Sequence, residues 1–141
     1  MSQKIRAGGA ILLFALSACA SDYVSKPLSQ LFDGSAGAAH VRVEGRMDTS
    51  VINAYSLQDG NSSRRGNNCV GLILSDPDRR RAQSLDGQLI EVRGSVMGTG
   101  DLNTALPSGY GEINGRAWSG SVCDGRSVIY VKNIRVLLPQ N

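Results

Sequence analysis

Over 41–47 the apolar residues Val41, Val43 and Met47 alternate with the charged residues Arg42, Glu44 and Arg46. A period of two predicts a half-buried strand, one face on a core and the other in water. Residues 48–50 read as a turn, followed by a second strand over 51–57 and a polar loop over 59–68. The continuous apolar run over 69–74 predicts a third strand. Asp76 before Pro77 reads as a helix start, with Asp76 as N-cap and the proline in the first helical position. Ala82 and Leu85 give that helix an inner edge and Gly87 ends it. A fourth strand is expected over 88–97 and a fifth over 127–138, separated by a glycine-rich stretch over 98–125.

One pattern occurs twice. Val41, Val43, Gly45 and Met47 have the same spacing as Ile90, Val92, Gly94 and Val96. Glycine weakens a strand interior unless the strand must bend or bulge there. Two strands bent at equivalent points predict a small closed barrel. Three strands, a short helix and two further strands, with glycine bends in the first and fourth, resembles the OB-fold. The likeness covers most of 39–138. It is carried by that order, by Tyr55-Ser56-Leu57-Gln58-Asp59, and by Leu85-Asp86-Gly87-Gln88-Leu89-Ile90-Glu91-Val92-Arg93-Gly94. The resemblance implies an all-β fold with minor α content, a five-stranded barrel with one short helix between its third and fourth strands. It also implies that the third and fifth strands lie side by side in parallel. Cys69 opens the third strand and Cys123 precedes the fifth, so both would sit at one barrel end.

The start of the chain has a different pattern. Lys4 and Arg6 precede an apolar stretch over 10–16, far short of the ~20 residues a spanning helix needs, so 1–18 reads as a targeting signal. It closes on Leu16-Ser17-Ala18-Cys19, which resembles the lipobox of bacterial lipoproteins, cut just before a cysteine that is then acylated. The resemblance implies a signal peptide over 1–18, lipid (palmitate among the acyl chains) on Cys19, a tether over 19–38 and the barrel over 39–141. Acyl chains contribute about 0.8 kcal/mol per buried methylene, so several make a lasting anchor. Ala20, rather than Asp, after the cysteine points to the outer membrane, with the barrel facing the periplasm. The other reading is an ordinary secretory signal: Ala18-Cys19-Ala20 also satisfies the small-x-small rule, and a cut there discards the cysteine. Residues 20–38 have no sustained period and read as a tether, although Leu28, Leu31 and Phe32 could form a short apolar turn on the domain.

Charge and cysteine count fit this compartment. The chain has 15 Lys+Arg and 12 Asp+Glu; without Lys4 and Arg6 the balance is 13 against 12, a net of +1. No global field draws such a chain to nucleic acid. With Cys19 assigned to lipid, Cys69 and Cys123 are an even pair in an oxidising space, where a disulfide is the default expectation. With one histidine and no CxxC spacing, no metal or other cofactor is expected.

Catalysis is not expected. The only histidine, His40, alternates outward beside Arg42 and Glu44 and reads as solvated or touching the tether. Asp76, Asp78, Asp86, Asp101, Glu112 and Asp124 fall in turns or caps. The glycine runs at 98–100 and 108–111 lack the lysine and strand–helix context of a phosphate loop. Arg79, Arg80 and Arg81 read as a solvated helix face, with cations favoured towards the helix C-terminus by the backbone dipole. With Arg64 and Arg65 they could instead meet lipid headgroups or lipopolysaccharide. Single-stranded nucleic acid needs several stacking aromatics, and the second and third strands offer one outward candidate, Tyr55. The stretch 98–125 holds Tyr110 and the only tryptophan, Trp118, with Asn103, Asn114 and Arg116. Such side chains suit a sugar or a partner-protein groove, and the loop before the fifth strand of an OB barrel flanks its usual binding face. Alternatively, Trp118 plugs the barrel end beside the disulfide. These features lead to a membrane-anchored envelope lipoprotein, a structural or accessory module for another envelope protein. The alternative is a periplasmic oligosaccharide or small-ligand binder using Tyr55, Tyr110 and Trp118.

Overall fold

The structure, a computed structural model, describes residues 22–32, 40–51, 54–59, 69–98, 110–119, 123 and 127–138. The described residues form β1 (Val24–Ser25), α1 (Ser29–Phe32), β2 (His40–Val51), β3 (Ala54–Gln58), β4 (Cys69–Ile73), α2 (Asp76–Leu85), β5 (Leu89–Gly98), β6 (Tyr110–Ile113), β7 (Arg116–Ser119) and β8 (Ser127–Val136). The chain is mostly β, with a short helix between β4 and β5. The main sheet runs β1-β2-β3-β4-β8-β5, and β5 also pairs with β2, so five strands close on one another. All neighbours in that ring are antiparallel except β4 and β8, which run parallel with Leu72 opposite Ile129.

Closure depends on how β2 divides its partners. Residues His40 to Arg46 pair with β5, and from Arg46 onward the other edge pairs with β3. Gly45 lies at this changeover. A Cβ there would stand 2.6 Å from Leu57 Cγ and 2.7 Å from the Gln58 carbonyl oxygen, so the close crossing requires glycine. Its counterpart, Gly94, adjoins a register shift where Arg93 pairs with Asn133 and Gly94 with Val131. A Cβ on Gly94 would be 2.2 Å from the Tyr130 carbonyl oxygen. The repeated glycine thus marks two places where backbone meets backbone.

Val41, Val43, Met47, Leu57, Val70, Leu72, Ile90, Val92, Ile129 and Val131 line one buried core inside the ring. Leu28 and Leu31, from the segment read as tether, join it, and Phe32 packs against it. β1 adds in parallel to β2, with Val24 opposite Val41, on the edge away from β5. Residues 24–32 are therefore part of the folded unit.

Local chemistry moved several boundaries. The strand β2 runs through 48–50, where a turn was expected: Asp48 Oδ1 accepts the Ser50 N–H at 2.8 Å, and Gln58 Nε2 donates to its other oxygen. These side-chain bonds accompany a register shift between Asp48 and Val51. The N-cap of α2 is Ser75, not Asp76; its Oγ accepts the Asp78 N–H at 3.4 Å, and Asp76 and Pro77 begin the helix. The far end of α2 docks on β2. Asp86 accepts the Thr49 N–H at 2.9 Å and its hydroxyl at 3.0 Å, and the Gly87 N–H donates to Met47 O at 2.9 Å. Within the stretch expected as a long loop, β6 and β7 form a hairpin across Asn114 and Gly115, at φ 48° and 75°. Asn-Gly with both residues at positive φ is the tight turn that suits strand twist. No helix among the described residues is long and apolar enough to cross a membrane.

Candidate functional site

The β6–β7 hairpin packs on the outside of the ring. Trp118 and Ile113 join Ile73, Val128, Met97 and Tyr130 in a second apolar cluster. Leu72 and Ile129, the chain neighbours of Ile73 and Val128, belong to the inner core, so strand alternation puts this cluster on the outer face. Arg116 fastens the hairpin. Its Nη1 donates to the carbonyls of Ile73, at 3.3 Å, and Val131, and its guanidinium carbon lies 4.1 Å from the Tyr130 ring centroid. Cys69 is bonded to Cys123 across 54 positions, with the Cα atoms 5.4 Å apart. Cys69 shares the outer face of β4 with Ile73. The disulfide and the tryptophan therefore attach Cys123 and the β6–β7 hairpin to the same side of the ring.

The residues expected to bind do not form one surface. Trp118 is 7% exposed, its ring buried on the outer face rather than plugging a barrel end. Tyr55 does not point outward: it shares a face with Leu57 and packs against the inner core. Tyr110 lies in β6, and its side chain is outside the described residues, as are Cys19, Arg64, Arg65, Asp101, Asn103 and Asp124. Arg79 pairs with Asp76 at 3.4 Å, and Arg81 pairs with Asp78 at 2.9 Å and donates to Ile134 O at 3.2 Å. Arg80 is exposed with no ion-pair partner among the described residues. The three arginines occupy the middle of α2 and its last turn holds no cation, so the dipole does not explain them. The local aspartates account for Arg79 and Arg81.

A more concentrated set of polar groups lies on the outer face of β2 and β5. Register puts His40 opposite Ser95, Arg42 opposite Arg93 and Glu44 opposite Glu91, with Ser25 of β1 beside Arg42. His40 Nδ1 and Ser95 Oγ are 3.2 Å apart, and the Tyr23 ring meets His40 nearly edge-on at 5.8 Å. The histidine thus touches Tyr23 of the segment read as tether, one of its two expected environments. No carboxylate orients its other nitrogen among the described residues, so this is not a built nucleophile–base–acid set. Glu91 is the buried member, 4% exposed, held by Arg93 at 2.9 Å and Arg135 at 2.8 Å. Burial pushes its carboxyl upward, but hydrogen bonds from Arg135 and Arg93 and their charges outweigh that, and the net shift is below the ordinary value. A groove of about 310 Å³ opens nearby, lined by Ser25, Lys26, Pro27, Leu28 and Glu44. No three His, Cys, Asp or Glu side chains converge as a metal site among the described residues. Sequence periodicity marked the outward residues of each strand singly. Their meeting depends on pairing across 55 positions, for which no local signal exists.

No family model matches the chain, and no curated protein matches it in sequence. Among solved structures it is similar to a protein described as an aspartyl-tRNA synthetase from Leishmania major Friedlin, at 13% identity and a TM-score of 0.42. That match covers 86% of this chain and 22% of the other, so the chain spans about a fifth of that protein. Likeness at this level says nothing of what the chain does.

Proposed function

We propose that the chain is a bacterial envelope lipoprotein, acylated on Cys19, whose folded part is an OB-like barrel that works by binding another envelope component. The observation that carries this reading is the Cys69–Cys123 disulfide. It consumes two of the three cysteines and fits an oxidising compartment. Cys19, at the end of the lipobox-like Leu16-Ser17-Ala18-Cys19, is then the cysteine left for lipid. The closed ring of β2, β3, β4, β8 and β5, with β4 and β8 parallel and α2 between β4 and β5, supports the OB-like description. The barrel faces the periplasm from the outer membrane in this reading.

A structural or accessory role is favoured over ligand binding because Trp118, the strongest candidate for stacking on a sugar, is already spent on holding the hairpin. The outer face of β2 and β5 is charged and polar, which suits a protein or membrane contact better than an enclosed small molecule. Cys19→Ser tests the anchor: the variant is expected to leave the membrane fraction, and unchanged membrane association would refute lipid attachment. Detergent extraction followed by co-purification tests the role, since a stoichiometric envelope protein is expected to accompany the chain.

A further inference from the structure

Resting on acylation at Cys19, we propose that Arg42 and Arg93, with Lys26 at the adjoining edge where its N–H donates to the Arg42 carbonyl, form the surface by which the folded ring lies against phosphate headgroups of the membrane that holds its lipid. The first argument is reach. Residue 23 already packs on His40, and β1 begins at Val24. Five peptide units separate Cys19 from Val24, a span of at most about 18 Å in any conformation. Headgroup layers are themselves about 5–8 Å thick, taking a 30 Å core from a 40–45 Å bilayer. A ring joined at β1 by so short a connection stays within about 10–13 Å of the headgroups, and the side around β1 is the one nearest them.

The second argument is charge. Arg42 sits opposite Arg93 in the antiparallel pair, and the next row puts Glu44 opposite Glu91. Like charges directly opposite are unfavourable, and exchanging one member of each row would have produced two attractive pairs. Glu91 is neutralised by Arg93 and Arg135. Arg42 and Lys26 have no acidic partner among the described residues. Ser25, beside Arg42, adds a hydroxyl donor, and Val24, 52% exposed, adds an apolar residue at the same edge. Arginine binds phosphate through paired N–H groups, and anionic lipid attracts cations lying within a Debye length of about 8 Å.

Mature chain contains two lysines, Lys26 and Lys132, so an amine-acylating reagent read by mass spectrometry reports on Lys26 directly. The acylated protein is placed in phosphatidylcholine vesicles with or without 30 mol% phosphatidylglycerol. Lys26 labelling is expected to slow several-fold in the anionic vesicles. Arg42→Gln should recover up to about fivefold, the effect of removing one cation near such a surface. Arg80→Gln, which removes an exposed cation of α2 with no ion-pair partner among the described residues, should recover nothing. Free inorganic phosphate without vesicles should leave the rate unchanged, and protection by it would assign the site to soluble phosphate instead. Equal labelling in both vesicles, or equal recovery by Arg80→Gln, overturns the proposal. Intact mass separates the two claims: protein lacking acyl chains defeats the anchor, and its Lys26 rate on added anionic vesicles still decides the surface.

Discussion

Replacing both Cys69 and Cys123 by alanine removes the one covalent link across the outer face. The bond closes a loop with a sequence separation of 54. The chain-entropy relation then gives about 4 kcal/mol at 298 K, arising mainly because the unfolded chain regains the freedom the bond denied it. A domain of this size has about 5–15 kcal/mol in total, so the loss is a large share. At about 4–8 °C per kcal/mol, the double variant should melt about 15–30 °C below the wild type. Trp118, Ile113 and Arg116 still attach the hairpin to β4 and β8, so the folded form should persist at low temperature. Thermal unfolding by circular dichroism measures the shift, and wild-type protein reduced before heating should match the variant. A difference under about 5 °C in both samples would refute the reasoning, because it would mean that the crosslink barely constrains the unfolded chain.

Glu91→Gln should destabilise the fold by about 1–3 kcal/mol in urea unfolding, the range for a buried charge-assisted bond, nearer the lower end because Arg135 is well exposed. Because the folded-state pKa of Glu91 is depressed, its contribution is present above the ordinary carboxylate range near 4.3 and is lost as pH falls through the lower folded value. The variant should therefore show a flatter loss of stability below about pH 4.3 than the wild type; identical slopes would contradict the pairing. Trp118→Ala should cost about 3–5 kcal/mol, the range for emptying a buried aromatic site. The sole tryptophan should emit at a short wavelength that shifts red on unfolding; native emission already at the wavelength of free indole would contradict its burial.

Much of the closed sheet was legible because its strands carry strong local patterns. Alternation over 41–47 and the repeated glycines at 45 and 94 reflect one-sided burial and close backbone crossing, which neighbouring residues are enough to encode. The cysteine pairing was expected from the even count left after Cys19 and from the parallel third and fifth strands that the OB-fold resemblance implies. What escaped reading depends on distant partners. β1 is two residues long and exists because β2 offers an edge. Asp48 and Ser50 have turn chemistry but use it inside a continuing strand, where Gln58 from β3 supplies a further bond. The β6–β7 hairpin did have a local signal, Asn114-Gly115, hidden among glycines that suggested irregular loop. Trp118 could not be assigned to packing or binding until Ile73 and Val128 were placed on the outer face together. The Arg42–Arg93 and His40–Ser95 rows likewise arise from register, not from sequence neighbours.

The most direct measurement is the mass of the N-terminal and cysteine-containing peptides from protein taken out of membranes without reduction. A chain beginning at Cys19, carrying acyl chains there and with Cys69 joined to Cys123, is the expected result. An intact 1–18 segment, or an unmodified N-terminus beyond Cys19, would contradict the account.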